Sequence, residues 1–187
     1  MADIVTVALI GAESTGKTAL ATALARHFDT EWVPEYLRIF VDHFQRVPRE
    51  QEIPIIALGQ LRLVAARLAE TRRVLFLDTD LVTTCVYQRK YFGSCPAQIE
   101  QMASDFRADL YLFTQPDIPW EPDGIQRSSP EERDVVHELL LQELDHLELP
   151  RVLVSGNWDQ RFAMARRAVR ALLKSRRHHP VGKRVTP

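Results

Sequence analysis

Eight consecutive residues, Gly11-Ala12-Glu13-Ser14-Thr15-Gly16-Lys17-Thr18, constrain the fold of this chain more than any others. They follow residues 3–10, Asp-Ile-Val-Thr-Val-Ala-Leu-Ile, a run suited to a strand buried on both faces of a parallel sheet. They precede an alanine-rich segment in which Leu20, Leu24 and Phe28 recur at helical spacing. The pattern Gly-x4-Gly-Lys-[Ser/Thr] between a strand and a helix is that of a phosphate-binding loop. Its glycines let backbone N–H groups turn inward around phosphate oxygens, where the helix N-terminus adds positive potential. Gly11, Glu13, Ser14, Thr15 and Gly16 are therefore expected to line a nucleotide, Lys17 to reach its β- and γ-phosphates, and Thr18 to ligate Mg2+. ATP and Mg2+ are the expected cofactors.

The remaining chain alternates in the same manner. A short strand is expected at residues 31–33, ending at Pro34-Glu35-Tyr36. Two helices follow between Tyr36 and Glu70, broken near Pro48 and Pro54. Further buried strands are expected at 74–77, 110–113 and 152–154. Val135, Val136, Leu139, Leu140 and Leu144 mark one amphipathic helix, and Phe162, Val169, Leu172 and Leu173 another. This order predicts an α/β sandwich around a parallel sheet, with no composition break that would divide it. The segment from Thr114 to Pro130 holds four prolines and little periodicity, which predicts a flap. From Lys174 to Pro187 the chain is basic and reads as a solvated, flexible tail.

Composition narrows the partners. The chain has 187 residues, with 24 basic and 25 acidic side chains and a formal net charge of -1. Near-neutrality gives no broad attraction to nucleic acid or an acidic membrane, so a small-molecule partner is expected and the oligomeric state stays open. No apolar run approaches the roughly 20 residues needed to span a bilayer. Without an export signal, Cys85 and Cys95 are expected to be reduced thiols in a cytoplasmic protein. His27, His43, His137 and His146 show no metal-ligand spacing.

The second chemical landmark is Asp78, at the end of the 74–77 run, where a carboxylate can hold Mg2+ beside the P-loop threonine. Thr79 follows it, rather than the glutamate with which mechanical ATPases activate water. Leu81 occupies the glycine position of a DxxG pattern, and no NKxD occurs. Transfer to an acceptor is favoured over hydrolysis. Such transfer needs positioning, charge neutralisation and a carboxylate near the acceptor hydroxyl. Glu35 and Asp80 are both candidates for that carboxylate, although Glu35 could instead pair with Arg38, and Asp80 could cap a helix. In the flap, Arg127 is a candidate to swing over the transferring phosphate; Asp123 and Arg133 lie in or beside the same segment. The turn Ser155-Gly156-Asn157 falls at the sheet edge where an adenine base would lie. Trp32, Tyr36, Tyr91, Trp120 and Trp158 fall near these edges, and a flat cationic ring would gain from stacking on such residues.

Gly-Ala-Glu-Ser-Thr-Gly-Lys-Thr at 11–18, Val-Pro-Glu-Tyr-Leu-Arg at 33–38, Phe-Leu-Asp-Thr-Asp at 76–80 and Trp-Glu-Pro-Asp-Gly at 120–124 occur in order. Together they closely resemble the ribosylnicotinamide kinase domain of NadR-type proteins, within the AAA-like P-loop family. The resemblance covers residues 1–173. It implies a nucleoside-kinase-like three-layer fold with a five-stranded parallel sheet and a lid at about 114–130. It implies ATP-dependent phosphorylation of nicotinamide riboside to nicotinamide mononucleotide in NAD salvage. By position it implies that Lys17 and Thr18 serve the phosphates and metal, and that Glu35 and Asp78 or Asp80 serve the acceptor and Mg2+. Lys17, Glu35, Asp80 and Arg127 are the expected catalytic residues, and Thr18 and Asp78 the expected metal ligands. The resemblance also implies that Tyr91 packs on the nicotinamide ring. Gly156 is an expected nucleotide contact, and Glu35, Tyr36, Arg38, Asp80, Tyr91, Trp120 and Asp123 are expected substrate contacts. Pro34 stands where some members have tryptophan, and Gln126 where the lid arginine is usual. No HxGH nucleotidyltransferase motif occurs, so the mononucleotide is the expected end product. A kinase for another nucleoside or small alcohol, or an ATP-binding regulatory ATPase, are the alternatives.

Overall fold

The computed structural model describes residues 4–121 and 129–178. Five strands, β1 (Val5–Ile10), β2 (Trp32–Val33), β3 (Val74–Asp78), β4 (Leu110–Thr114) and β5 (Arg151–Val154), form one sheet in the order β2-β3-β1-β4-β5. Every pairing is parallel. The α/β class, the parallel sheet and the number of strands agree with expectation.

Side-chain alternation along the central strands builds the two faces. Ala8 and Ile10, Leu75 and Leu77, and Tyr111 and Phe113 point to one side, where they meet Val82, Val86, Val136, Leu140 and Leu144. Val7 and Leu9, Val74 and Phe76, and Leu110 and Leu112 point to the other, against Leu20, Leu24, Ala165 and Val169. The first face is covered by α4 (Leu81–Phe92) and α6 (Pro130–His146), the second by α1 (Lys17–Phe28) and α7 (Trp158–His178). Strands covered on both sides need apolar residues at every position, which is why these runs show no polar alternation.

Between β2 and β3 the chain forms α2 (Tyr36–Phe44), a short 3-10 turn at Glu50–Glu52 and α3 (Ile53–Glu70). Pro54 does not break this second helix but opens it, sitting in the first turn where its missing N–H costs nothing. Of α4, only its start was hinted at by Asp80 as a possible cap, and α5 (Ala97–Asp105) was not expected from the sequence. Asp80 starts α4 by accepting the Thr83 N–H, and Gly93 ends it. No apolar stripe announces α4, because it buries Thr83 and Gln88 along with Leu81, Val82, Cys85 and Val86. One of its faces packs on the sheet, and the other faces a cavity.

Residues 174–178, expected in the tail, are helical instead, and residues 179–187 lie outside the described residues. Helix α7 continues through His178, and Arg176 Nη2 donates to Asp109 Oδ1 at 2.5 Å. Cys85 and Cys95 are both free. Among the described residues, no helix is long and apolar enough to cross a membrane.

Candidate active site

Register places the chemistry. Leu9 pairs with Asp78, and Thr79 N–H donates to Leu9 O at 3.0 Å, so the loop after β1 and the end of β3 emerge side by side. Thr18 Oγ1, in the first turn of α1, donates to Asp78 Oδ2 at 2.5 Å. Lys17 Nζ lies 3.0 Å from Gly11 O and 2.8 Å from Ala12 O, folded over its own loop. The loop is held from beneath: Thr15 Oγ1 donates to Ala12 O and lies 2.7 Å from Thr114 Oγ1 at the end of β4. Gly11 is required there, since a Cβ at this position would lie 2.3 Å from the Thr114 hydroxyl, on a backbone with φ +147.

Arg161, which sequence reasoning missed, ties this loop to the opposite side of the site. Its side chain is 4% exposed. It donates to Thr15 O, Gln115 O and Gly156 O, and pairs with Asp117. Asp117 in turn accepts the Gly156 N–H at 2.6 Å. The phosphate loop, the chain leaving β4 and the turn after β5 are thus joined by one guanidinium. An arginine in the first turns of an ordinary surface helix carries no sequence signal for this role.

In front of the loop lies a cavity of about 540 Å³, bounded by Gly11, Glu13 and Lys17 on one side and by α2, α3 and α4 on the others. Glu35 and Arg38 both line it, and Glu35 Oε2 lies 3.6 Å from Arg38 Nε. Lining a cavity and pairing with a neighbour are therefore compatible for Glu35. Glu13 also faces the cavity, and accepts a 2.7 Å hydrogen bond from the Tyr87 hydroxyl. Tyr87 and Tyr91, one helical turn apart on α4, stack at 5.9 Å with an interplanar angle of 11°. Lys90 Nζ sits 4.2 Å from the Tyr91 ring centre and pairs with Glu132 at 2.8 Å. Burial first, and then the charges of Glu13 and Glu35, raise the Tyr87 phenol well above its ordinary pKa, so it stays a hydrogen-bond donor.

Other expected residues fall differently. Asp80 is 5% exposed, does not line the cavity and caps α4, accepting the Thr83 N–H at 3.3 Å. Burial pushes its carboxyl up to about 6, against the opposing hydrogen bond from Tyr111. Tyr36 also stays out of the cavity lining; its ring packs on the bare backbone of Gly59, where a Cβ would come within 2.4 Å. At the near end of the segment expected to form the flap, Glu121 N–H donates to Ser14 Oγ at 2.8 Å. Arg133 donates to Ile118 O within the same region. Trp120 is half-buried there, and its indole nitrogen has no hydrogen-bond partner among the described residues. Asp123, Arg127 and Gln126 lie outside the described residues.

A phosphate loop, a hydroxyl–carboxylate pair and an adjoining acceptor-sized cavity on a parallel sheet define a P-loop nucleotide-binding protein. Residues 6–161 match the AAA domain family, and the chain belongs to it. It is 31% identical over 163 residues to the trifunctional NAD biosynthesis/regulator protein NadR of Salmonella typhimurium, covering 84% of this chain and 40% of that protein. Crystal structures of NadR proteins are also similar. One in complex with NAD and AMP-PNP has a TM-score of 0.75, and one in complex with NR has 0.73. Each is 25% identical and covers 98% of this chain and 52% of that chain. The chain thus spans about half or less of the length of these relatives.

Proposed function

We propose that this chain transfers the γ-phosphoryl group of ATP to the ribose 5′-hydroxyl of nicotinamide riboside, giving nicotinamide mononucleotide and ADP. The observation that carries the proposal is the cavity joining Lys17 to the Tyr87–Tyr91 ring pair, with the Glu13 and Glu35 carboxylates in its wall. Such a wall suits a flat cationic ring: the tyrosines supply π faces and the carboxylates supply negative charge. The similarity to NadR proteins solved with an ATP analogue and with NR agrees with both halves of the reaction.

Each side chain then has a role. Backbone N–H groups of the phosphate loop hold the β- and γ-phosphates, and Lys17 leaves its loop carbonyls to neutralise charge on the transferring group. Thr18 and Asp78 offer a hydroxyl and a carboxylate at one point, hard oxygen donors that fit Mg2+. Among the described residues no cluster of three His, Cys, Asp or Glu side chains is present, which suits an ion completed by phosphate oxygens and water. When bound, Mg2+ would draw charge from the phosphate oxygens. Glu35 accepts the proton of the 5′-hydroxyl as the new O–P bond forms and the β–γ bridging oxygen leaves with ADP. The proposal gives Asp80 no proton to carry, since its carboxylate accepts the Thr83 N–H as the cap of α4. Arg161 sets the phosphate loop relative to the Gly156 turn, where the adenine would lie. Use of ATP and two free thiols would suit a cytoplasmic enzyme.

A coupled ADP-release assay with nicotinamide riboside, uridine and adenosine in parallel tests this. Turnover with nicotinamide riboside that disappears in Lys17→Ala, with circular dichroism unchanged, is expected. Turnover confined to uridine or adenosine would assign a different acceptor, and slow hydrolysis indifferent to any acceptor would leave a regulatory ATPase.

A further inference from the structure

We infer that Gln88 is a specificity-determining residue that reads the ring substituent of the substrate, pairing with an uncharged carboxamide and rejecting the corresponding ring carboxylate. The inference rests on the nicotinamide riboside reading.

Gln88 is 3% exposed, yet it lines the cavity. Its Oε1 is buried and has no hydrogen-bond partner among the described residues. A buried carbonyl oxygen left without a donor is costly, and such groups in folded proteins are nearly always satisfied. A ligand N–H would satisfy this one. Gln88 follows Tyr87 directly and precedes Tyr91 by less than one helical turn, and all three line the same cavity. A substituent on a ring packed there falls within reach of a side-chain amide.

The chemistry of the pairing decides the selectivity. An amide facing an amide can form two reciprocal bonds, donor to acceptor in each direction. A carboxylate offers acceptors alone and leaves Oε1 unpaired in a buried site. It would also enter a cavity whose wall already holds the Glu13 and Glu35 carboxylates. The nearby cations are engaged elsewhere: Lys17 lies on the phosphate loop, and Arg38 lies beside Glu35. Thr79 also presents a buried hydroxyl with no partner among the described residues, but a hydroxyl donates as readily as it accepts and so does not discriminate.

The test compares kcat/KM for nicotinamide riboside and nicotinic acid riboside, at saturating ATP and Mg2+, in the wild-type chain, Gln88→Leu and Gln88→Glu. The wild type is expected to favour the amide by about a hundredfold or more. Gln88→Leu is expected to bring the ratio within about threefold of unity, through the KM for the riboside, with the KM for ATP unmoved. Gln88→Glu keeps an acceptor in place and is expected to retain the preference. Equal use of both ribosides by the wild type overturns the inference. So does an unchanged ratio in Gln88→Leu, or, should that variant not fold, a preference lost in Gln88→Glu. Wild-type chain that phosphorylates neither riboside but accepts another nucleoside overturns the underlying functional reading instead.

Discussion

The Tyr87 hydroxyl donates a 2.7 Å hydrogen bond to Glu13 Oε2, joining the middle of α4 to the phosphate loop across 74 positions of sequence. The bond fixes a carboxylate where the phosphate loop meets the cavity. Tyr87 also forms half of the aromatic wall through its stacking on Tyr91.

Tyr87→Phe keeps the ring and removes the bond. A hydrogen bond to a charged group in a partly buried setting is worth about 1.5–3 kcal/mol, so a stability loss of about 1–2 kcal/mol in urea unfolding is expected. The KM for the riboside is expected to rise about tenfold as Glu13 loses its orientation. The ATP affinity, set by the backbone of the loop, is expected to change less.

Glu35→Gln separates the two candidate bases. It is expected to lower kcat about a hundredfold or more with little change in the KM for ATP. Asp80→Asn keeps a capping oxygen and is expected to retain most of the turnover. Single-turnover measurements with rapid quenching distinguish a chemical defect from slow product release. A larger kcat loss in Asp80→Asn than in Glu35→Gln would exchange the roles.

Asp80 also gives the chain a pH signature. Its folded pKa, about 6, lies above its ordinary value of 3.8, so between these values the folded state holds more proton than the unfolded state. Stability contributed by this group therefore falls as pH rises through that window and returns as pH is lowered. Relative to Asp80→Asn, the wild type is expected to gain about 1 kcal/mol on moving from pH 6.5 to pH 5. Urea unfolding of both proteins across this range checks the sign and isolates Asp80 from other carboxylates.

Arg161→Met removes the guanidinium but keeps much of the stem volume. Three backbone carbonyls and Asp117 lose their donor. Asp117 remains partly solvated, so the cost is expected near about 3 kcal/mol, the lower end for breaking a buried charged pair. A rise in the KM for ATP should accompany it, larger than any rise for the riboside, because the loop and the Gly156 turn lose their common tie. Differential scanning calorimetry and steady-state kinetics report the two effects.

The sequence carried the parts of this protein whose cause is local. Residues 11–18 spell a loop because glycine torsions, a following helix and a lysine at one spacing meet phosphate geometry. The apolar runs in β1, β3 and β4 declare strands because a sheet covered on both faces leaves no position for a polar side chain. Asp78 was legible for the same reason, as the first carboxylate after such a run. Helix α4 was not legible, because its second face looks into a cavity and carries Thr83, Tyr87 and Gln88 where solvent-facing or core residues would have shown a stripe.

What only the tertiary structure decided concerns pairs far apart in sequence. It placed Asp78 against Thr18, Tyr87 against Glu13, and Arg161 beneath Thr15. It made Asp80 the cap of α4, set Glu35 in the cavity lining, and turned Tyr36 onto Gly59. Torsion preference and hydrophobic periodicity act over a few residues and are written in the order of the chain. The direction in which a side chain points into a shared cavity depends on strand order and helix packing, which arise only when the distant segments meet.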